Sequence, residues 1–300
     1  MELIRRTKSI KIKKGYYIYS CSTNREGCMK NEELKEIYDE VYEGDKEEFF
    51  TSPLDLIYSE TYKAIRNHIN KSKVLDLGCG DGSFLNRYVT LEEPSEIHGY
   101  DYSETGIQKA KEHELAILRK IYYRQVSFED LKFELEENLS LDKETFDVIT
   151  SIGVIEHLDD PSILFYIANK LLKPGGLFVL EFPNFLNLRG VIWKALEVFV
   201  GAEMSKTDKQ MILPSMIFEN MNYFNFECET IITFDHERGM YAGMVDDFST
   251  RLKLALDGKV DNLNSKIQEF FSFLKFVNND RIFTFGSANG AEILYKFRKK

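Results

Sequence analysis

The sequence predicts an α/β fold built on a parallel sheet with helices on both faces. Three observations predict it. Apolar runs of five or six residues alternate with helical patterns between residues 73 and 182, the rhythm of successive βα units. The first run, "VLDLGCGDGSFL" at 74–85, passes into a turn that crowds together Gly78, Gly80 and Gly82. In "LLKPGGLFVLEFPN" (171–184), a Pro-Gly-Gly turn stops a helix and a buried run follows.

Residues 31–42, "NEELKEIYDEVY", read as an acidic amphipathic helix, and 53–70 as another with Pro53 near its start. Strand 73–77 leads through the glycine turn into helix 83–90. Strand 96–101 precedes helix 103–118, for which Ser103 is the natural N-cap. A short strand near 121–126 ends in a polar loop, strand 146–151 precedes helix 161–173, and strand 177–182 completes five units. Beyond residue 184 the alternation breaks. Residues 185–222 are partly helical and partly polar, and strand 226–235 is followed by helices 245–257 and 261–277. In the last helix Leu263, Ile267, Phe270, Phe271 and Leu274 share one face. Strand 291–297 ends the chain. His68 and His113 read as solvated helix residues, His113 in mid-helix.

The 300 residues hold 39 Lys plus Arg against 49 Asp plus Glu, a net charge of −10 that argues against nucleic acid as partner. The basic run "RRTKSIKIKK" (5–14) reads as a solvated terminal segment. No apolar run reaches membrane-spanning length, and the first residues lack a signal-peptide core, so a cytoplasmic location is expected. Four cysteines (Cys21, Cys28, Cys79 and Cys228) make no disulfide framework. Cys21 and Cys28 fall short of the four ligands of structural zinc.

The spacing of the glycines narrows the ligand. A dinucleotide fingerprint needs a third glycine at position 83, which is Ser, and no Lys follows as in a P-loop. The alternative is an ordinary turn whose glycines only permit tight packing. Asp76, at the strand end, would repel a pyrophosphate and attract a cation such as the sulfonium and ammonium of S-adenosylmethionine. Asp101, ending the second strand in "GYDYS", is placed to accept from both hydroxyls of a ribose.

"VLDLGCGDGSFL", "GYDYSETGIQKAKE", "FDVITSIGVIEHLDDP" and "LLKPGGLFVLEFPN" together resemble the class I S-adenosylmethionine-dependent methyltransferases of the small-molecule type, over residues 72–184. The resemblance implies a doubly wound, Rossmann-like seven-stranded sheet whose last strand is antiparallel. Strands 226–235 and 291–297 fill the last two places, with helical insertions after strands five and six. The chain then divides into an N-terminal extension and helix, 1–52, and a methyltransferase domain, 53–300, with cap-like insertions at about 185–222 and 236–290. The cofactor implied is S-adenosylmethionine, leaving as S-adenosylhomocysteine. Asp76, Gly78, Cys79, Gly80 and Gly82 would surround its methionine part, Asp101 its ribose and Tyr102 its adenine. Ser151, Ile152 and Gly153 would line the methyl. Ser127 stands where many members carry an acid on the adenine, so Phe128 and Glu129 are the candidates there.

Methyl transfer needs alignment, exclusion of water and, for a hydroxyl acceptor, removal of a proton. His157, with Glu156 beside it, is the candidate base, the alternative being a capping or structural His. Relatives that methylate RNA or ubiquinone precursors carry E-x-x-E-H and bind a divalent metal through it. Gly153 replaces the first of those carboxylates, and His236 is alone, so no metal is expected. The N-terminal segment faintly resembles enzymes acting on sugars or surface-polymer precursors. The expectation is methyl transfer to a small-molecule acceptor, at oxygen. The alternatives are nitrogen or carbon, a non-catalytic S-adenosylmethionine-binding protein, and, last, an RNA 2′-O-methyltransferase. A monomer or homodimer is expected. "VIWKALEVFV" (191–200), with the single Trp193, would form either a wall of the acceptor site or a dimer surface, and "GAEMSKTDKQ" (201–210) a mobile polar hinge or lid.

Overall fold

The computed structural model describes residues 12–13, 16–17, 30–43, 54–139, 143–202, 204–205, 207–240, 242–279 and 289–300. Most of the basic run, Cys21 and Cys28 lie outside them. Seven strands form one sheet: β1 (Lys73–Leu77), β2 (Glu96–Asp101), β3 (Tyr122–Gln125), β4 (Phe146–Ile152), β5 (Leu172–Pro183), β6 (Phe226–Phe234) and β7 (Glu292–Lys299). Their spatial order is β3-β2-β1-β4-β5-β7-β6. The first five run parallel, and β7 pairs antiparallel with both β5 and β6. The order reverses between β1 and β4, the switch point where such sheets open a crevice beyond their carboxyl ends.

The central strands are buried on both faces, hence their near-continuous Val, Ile and Leu. One face is covered by α6 (Phe128–Glu137), α7 (Ser162–Leu171) and α9 (Pro214–Tyr223), through Leu131, Leu164, Phe165 and Ile217. The other is covered by α2 (Leu54–Ile65), α3 (Ser83–Arg87), α4 (Glu104–Glu112) and α5 (Glu114–Arg119), through Ile57, Ile65, Phe84, Ile107 and Ala116. α1 (Asn31–Glu43) packs on α4.

The expected helix over 103–118 is two helices. His113 adopts an extended conformation and its Nδ1 accepts from Leu115 N at 3.2 Å, capping the second. Ser103 caps the first as expected, accepting from Gly106 N at 3.0 Å. His68 is half-buried rather than solvated, 3.3 Å from Lys296 Nζ, and burial pushes its pKa down.

The segments after β5 build a core of their own. α8 (Leu188–Val200) starts on Asn187, which accepts from Gly190 N, and stops at Gly201 in the left-handed conformation. It packs with α11 (Ala242–Leu256) and α12 (Leu263–Asn279) around Trp193, Phe248, Leu252 and Ile267; α10 (His236–Met240) precedes them. Trp193 is only 1% exposed, stacked on Phe248 at 5.2 Å. It is therefore the centre of this packing, neither an open wall nor a docking surface. The exposed apolar residues of α8 are Val191, Val198 and Phe199. Among the described residues no helix is long and apolar enough to cross a membrane.

Candidate active site

β1 ends in a loop that only glycine tolerates. Gly78, Gly80 and Gly82 have φ of +80°, +52° and +73°. A Cβ on Gly78 would lie 2.3 Å from Val154 Cγ2, and one on Gly80 2.2 Å from the Tyr42 hydroxyl. The loop is tied to β2: Gly78 N and Cys79 N donate to the Tyr100 carbonyl at 2.7 and 3.1 Å. Asp101 accepts from Gly80 N through Oδ2 and from Ser103 N through Oδ1, both at 2.8 Å. Asp76 is 2% exposed and accepts from Thr150 Oγ1 at 2.7 Å.

Burial raises the Asp76 pKa to about 7 and the Asp101 pKa to about 6. Two buried carboxyls beside a loop with three bare glycine positions suit a ligand bearing positive charge and hydroxyls, not a pyrophosphate. These residues fit S-adenosylmethionine. Tyr102 lies beside them, half-buried, its hydroxyl without a hydrogen-bond partner. Cys79 is buried, and burial holds its thiol protonated.

Other expected residues have structural duties. The buried Ser151 hydroxyl donates to the Leu77 carbonyl at 2.9 Å, joining β4 to β1. Ser127 caps α6, accepting from Asp130 N at 3.0 Å. Phe128 packs half-buried against the core and Glu129 is exposed in the first turn of α6. Ile152 ends β4 half-buried, and Gly153, at φ +63°, donates its N–H to the Glu181 carbonyl at 3.0 Å.

His157 follows β4 in a short 3₁₀ turn, Ile155–His157. Its Nδ1 lies 3.0 Å from the Thr207 carbonyl, which can only accept, so Nδ1 carries the proton. Nε2 therefore presents a lone pair, and the Tyr38 hydroxyl of α1 donates to it at 2.7 Å. Burial lowers the His157 pKa and keeps the ring neutral, with the Asp208 carboxylate opposing. Burial, then Glu156 and Asp208, raise the Tyr38 pKa.

The segment expected as a mobile polar hinge is laid across the end of β4. Lys209 N and Gln210 N donate to the Glu156 carbonyl at 3.0 and 3.3 Å, and Ala202 and Met204 are buried. Asp208 Oδ1 is 3.5 Å from His157 Nδ1. Glu156, His157 and Asp208 thus place three donor atoms within 4.8 Å of one another. Asp208 supplies a carboxylate that motif spacing did not reveal. As a metal ligand, however, His157 would have to give up Tyr38 or Thr207.

A second group was not legible in the sequence. Glu156, Glu181 at the end of β5 and Glu292 at the start of β7 are 2%, 1% and 1% exposed. Glu181 and Glu292 share a hydrogen bond; burial, then repulsion from Glu292 and Glu156, raises the Glu181 pKa, and burial, then repulsion from Asp208 and Glu292, raises that of Glu156. Glu156 Oε2 and Glu181 Oε1 make no hydrogen bond. Alternation within "LFVLEF" gives no sign that its Glu lies at a site rather than a surface.

Residues 69–242 match the family described as methyltransferase domain. The chain is 34% identical over 111 residues to a ubiquinone biosynthesis O-methyltransferase of Pseudomonas syringae pv. tomato, covering 37% of this chain and 44% of that relative. It is 32% identical over 142 residues to the enzyme of the same name from Pasteurella multocida, covering 46% and 54%. The chain thus matches about half the length of these curated relatives. The fold matches the crystal structure of an S-adenosylmethionine-dependent methyltransferase from Mesorhizobium loti with a TM-score of 0.50, at 16% identity, over 82% of this chain and all of that one.

Proposed function

The chain belongs to the class I S-adenosylmethionine-dependent methyltransferases, and from that premise we propose that it transfers a methyl group to a hydroxyl oxygen of a small molecule. The observation that carries this reading is the Tyr38–His157 pair, a neutral imidazole and a phenol joined at 2.7 Å beside the end of β4. Such a pair takes up a proton without a charged base having to form first.

Bound S-adenosylmethionine supplies the methyl, already activated on a sulfonium. Gly78, Gly80 and Gly82 admit its methionine part against bare backbone. Asp76 would hold its ammonium, Asp101 its ribose hydroxyls, and Tyr102, Phe128 and Glu129 its adenine, while Gly153 and Ile152 would line the methyl. Tyr38 accepts the proton of the acceptor hydroxyl as its own passes to His157 Nε2, while the Thr207 carbonyl keeps Nδ1 protonated. The cofactor would give up its methyl with the bonding electron pair left on sulfur, so that the products would be S-adenosylhomocysteine and a methyl ether. α1 and residues 207–210 exclude water from this step, and the insertions after β5 and β6 cap the acceptor. The homologues' name, an O-methyltransferase of ubiquinone biosynthesis, supports oxygen as the acceptor atom.

The test is ligand binding followed by turnover. S-adenosylhomocysteine should raise the melting temperature by mass action, and NAD and ATP should not. With S-adenosylmethionine and a panel of hydroxylated small molecules, S-adenosylhomocysteine should accumulate with an equal amount of methyl ether. Binding without turnover on any acceptor would leave a cofactor-binding protein, and stabilisation by NAD alone would overturn the reading.

A further inference from the structure

The methionine part of the cofactor carries a carboxylate as well as an ammonium, and the acids Asp76, Asp81 and Asp101 already surround the glycine loop. A loop that opens a helix usually meets an anion with its backbone N–H groups. Here those donors are engaged. Gly78 N and Cys79 N donate to the Tyr100 carbonyl, Gly80 N to Asp101, Gly82 N to the Cys79 carbonyl at 2.9 Å and Ser83 N to Asp81 Oδ1 at 3.0 Å. The cations on the flanks of the site are engaged too. Arg87 Nη1 lies 3.4 Å from Asp55 Oδ1, and Lys209 Nζ donates to Asp159 Oδ1 at 3.0 Å and to Asn31. The carboxylate must therefore find its donors elsewhere.

Two phenols reach this loop from the N-terminal helices. Gly80 has to be bare, since the Tyr42 ring of α1 lies on it: a Cβ there would sit 2.2 Å from the hydroxyl and 2.9 Å from Cζ. The opposite edge of the ring meets Gly106 of α4, where a Cβ would be 3.1 Å from Cε2. Tyr42 is thus gripped between two positions without side chains. One turn earlier, Asp39 accepts from Ser103 Oγ and ties α1 to the cap of α4. Tyr58 of α2 is packed at 5.6 Å on Phe84 and 6.0 Å on Tyr88. Burial, then the charge of Asp101, raises the Tyr42 pKa, and burial, then Asp81 and Asp76, raises that of Tyr58. Both phenols stay protonated, and they stand toward the Asp101 and Asp76 ends of the loop. Among the described residues neither hydroxyl has a hydrogen-bond partner. Both side chains are half-buried, as are Gly78, Asp81 and Tyr102, so the space over the loop is open to a ligand.

We propose that Tyr42 and Tyr58 form the carboxylate subsite of the cofactor: their hydroxyls donate to the α-carboxylate of the methionine part, while Asp76 takes the ammonium. A phenol suits this place better than a cation. A Lys or Arg among Asp76, Asp81 and Asp101 would pair with one of them and compete with the ligand's ammonium. A phenol brings a donor without a charge, and a hydrogen bond to a carboxylate is one of the stronger kind. Gly80 and Gly106 then set the depth to which the Tyr42 hydroxyl reaches over the loop. The inference rests on the methyltransferase reading and adds the residues that select a zwitterion over an adenosine thioether lacking the carboxylate.

The test is calorimetry on the full chain with three ligands. These are S-adenosylhomocysteine, its decarboxylated form, which keeps the amine, and 5′-methylthioadenosine, which has neither group. The wild-type chain should bind S-adenosylhomocysteine about tenfold or more tightly than the decarboxylated form. Tyr42→Phe combined with Tyr58→Phe should reduce that preference to about threefold or less, with affinity for the other two ligands kept within about twofold. A merely structural role would weaken all three ligands alike. A wild-type preference under about threefold, a preference the double variant retains, or an equal loss for all three ligands would overturn the proposal. If the double variant does not fold, each single variant should lower the preference by about threefold or more, and if neither folds the wild-type ratio decides. Failure to bind S-adenosylhomocysteine at all would instead sink the methyltransferase reading, so the two failures are distinguishable.

Discussion

The Tyr38 hydroxyl donates to Nε2 of His157 across 2.7 Å, although 119 residues separate the two in sequence. The bond joins α1 to the turn after β4, so the proton relay proposed above depends on the packing of an N-terminal helix against the sheet's carboxyl end.

The first expectation concerns that pair. His157→Ala should lower kcat by about 10²–10⁴, the usual yield of general base catalysis, and Tyr38→Phe by about tenfold or more, with S-adenosylhomocysteine affinity nearly unchanged in both. Burial holds the His157 pKa below 6.5. Protonation removes the Nε2 lone pair, so kcat should fall on the acid side of that value and stay flat above it until other groups titrate. An acid limb retained in His157→Ala would assign the limb to another residue.

Asp76 links cofactor binding to protons. Its pKa is raised to about 7 in the folded chain by burial, above the 3.8 of an ordinary aspartate in an unfolded chain. A raised carboxyl favours folding below the unfolded pKa, and that contribution is lost as pH rises toward the folded one. The free protein should therefore lose stability between about pH 4 and 7 on this account. The cofactor's ammonium favours the carboxylate, so affinity for S-adenosylhomocysteine should rise with pH up to about 7 and then level. Calorimetry in buffers of different ionisation enthalpy should detect proton release at pH 6. Asp76→Asn should bind more weakly and release no proton, and an unchanged release would place the titrating group elsewhere.

Chelation distinguishes the proton relay from a metal centre. Both nitrogens of His157 are engaged, by Tyr38 and by Thr207, so turnover is expected to survive EDTA. Loss of activity on chelation, restored by Mg²⁺ and abolished by Asp208→Asn, would make Glu156, His157 and Asp208 a ligand set.

Asp247 is the keystone of the packing between α8 and α11. Oδ2 accepts from Trp193 Nε1 at 3.2 Å, Oδ1 accepts from Arg251 Nη1 at 3.1 Å, and Arg189 Nη1 is 3.5 Å away. Asp247→Ala removes the nearer counter-charge of the buried Arg189 and should cost about 3 kcal/mol. The loss should appear as a lower denaturant midpoint and a red shift of Trp193 emission. The double change Arg189→Met with Asp247→Leu should recover most of the loss. Equal destabilisation by the single and double variants would mean that packing, not charge, is responsible.

Local patterns were sufficient for the sheet's core. β1 and β2 occupy 73–77 and 96–101, the expected bounds, because buried parallel strands are written as contiguous apolar runs. The glycine turn was legible for a similar reason: positive φ at three nearby positions leaves a mark in three nearby residues. Asp76 and Asp101 could be named because each ends a strand, and strand ends are where such sheets bind ligands. The break at His113 was not legible, since a single side chain folding back on Leu115 N has no periodicity to interrupt.

What the tertiary structure alone decided is which distant side chains share a buried space. Trp193 reads equally well as a wall or a docking face until α11 and α12 cover it. Asp208, in a polar stretch that resembles a hinge, becomes a neighbour of His157 only when Lys209 N and Gln210 N bind the Glu156 carbonyl. Glu181 and Glu292 belong to strands that are antiparallel neighbours but lie more than a hundred residues apart. Periodicity reports how each residue faces its own element. Whether a carboxyl facing inward meets a cation, a proton or another carboxyl depends on the element packed opposite, and only the folded chain brings that element into place.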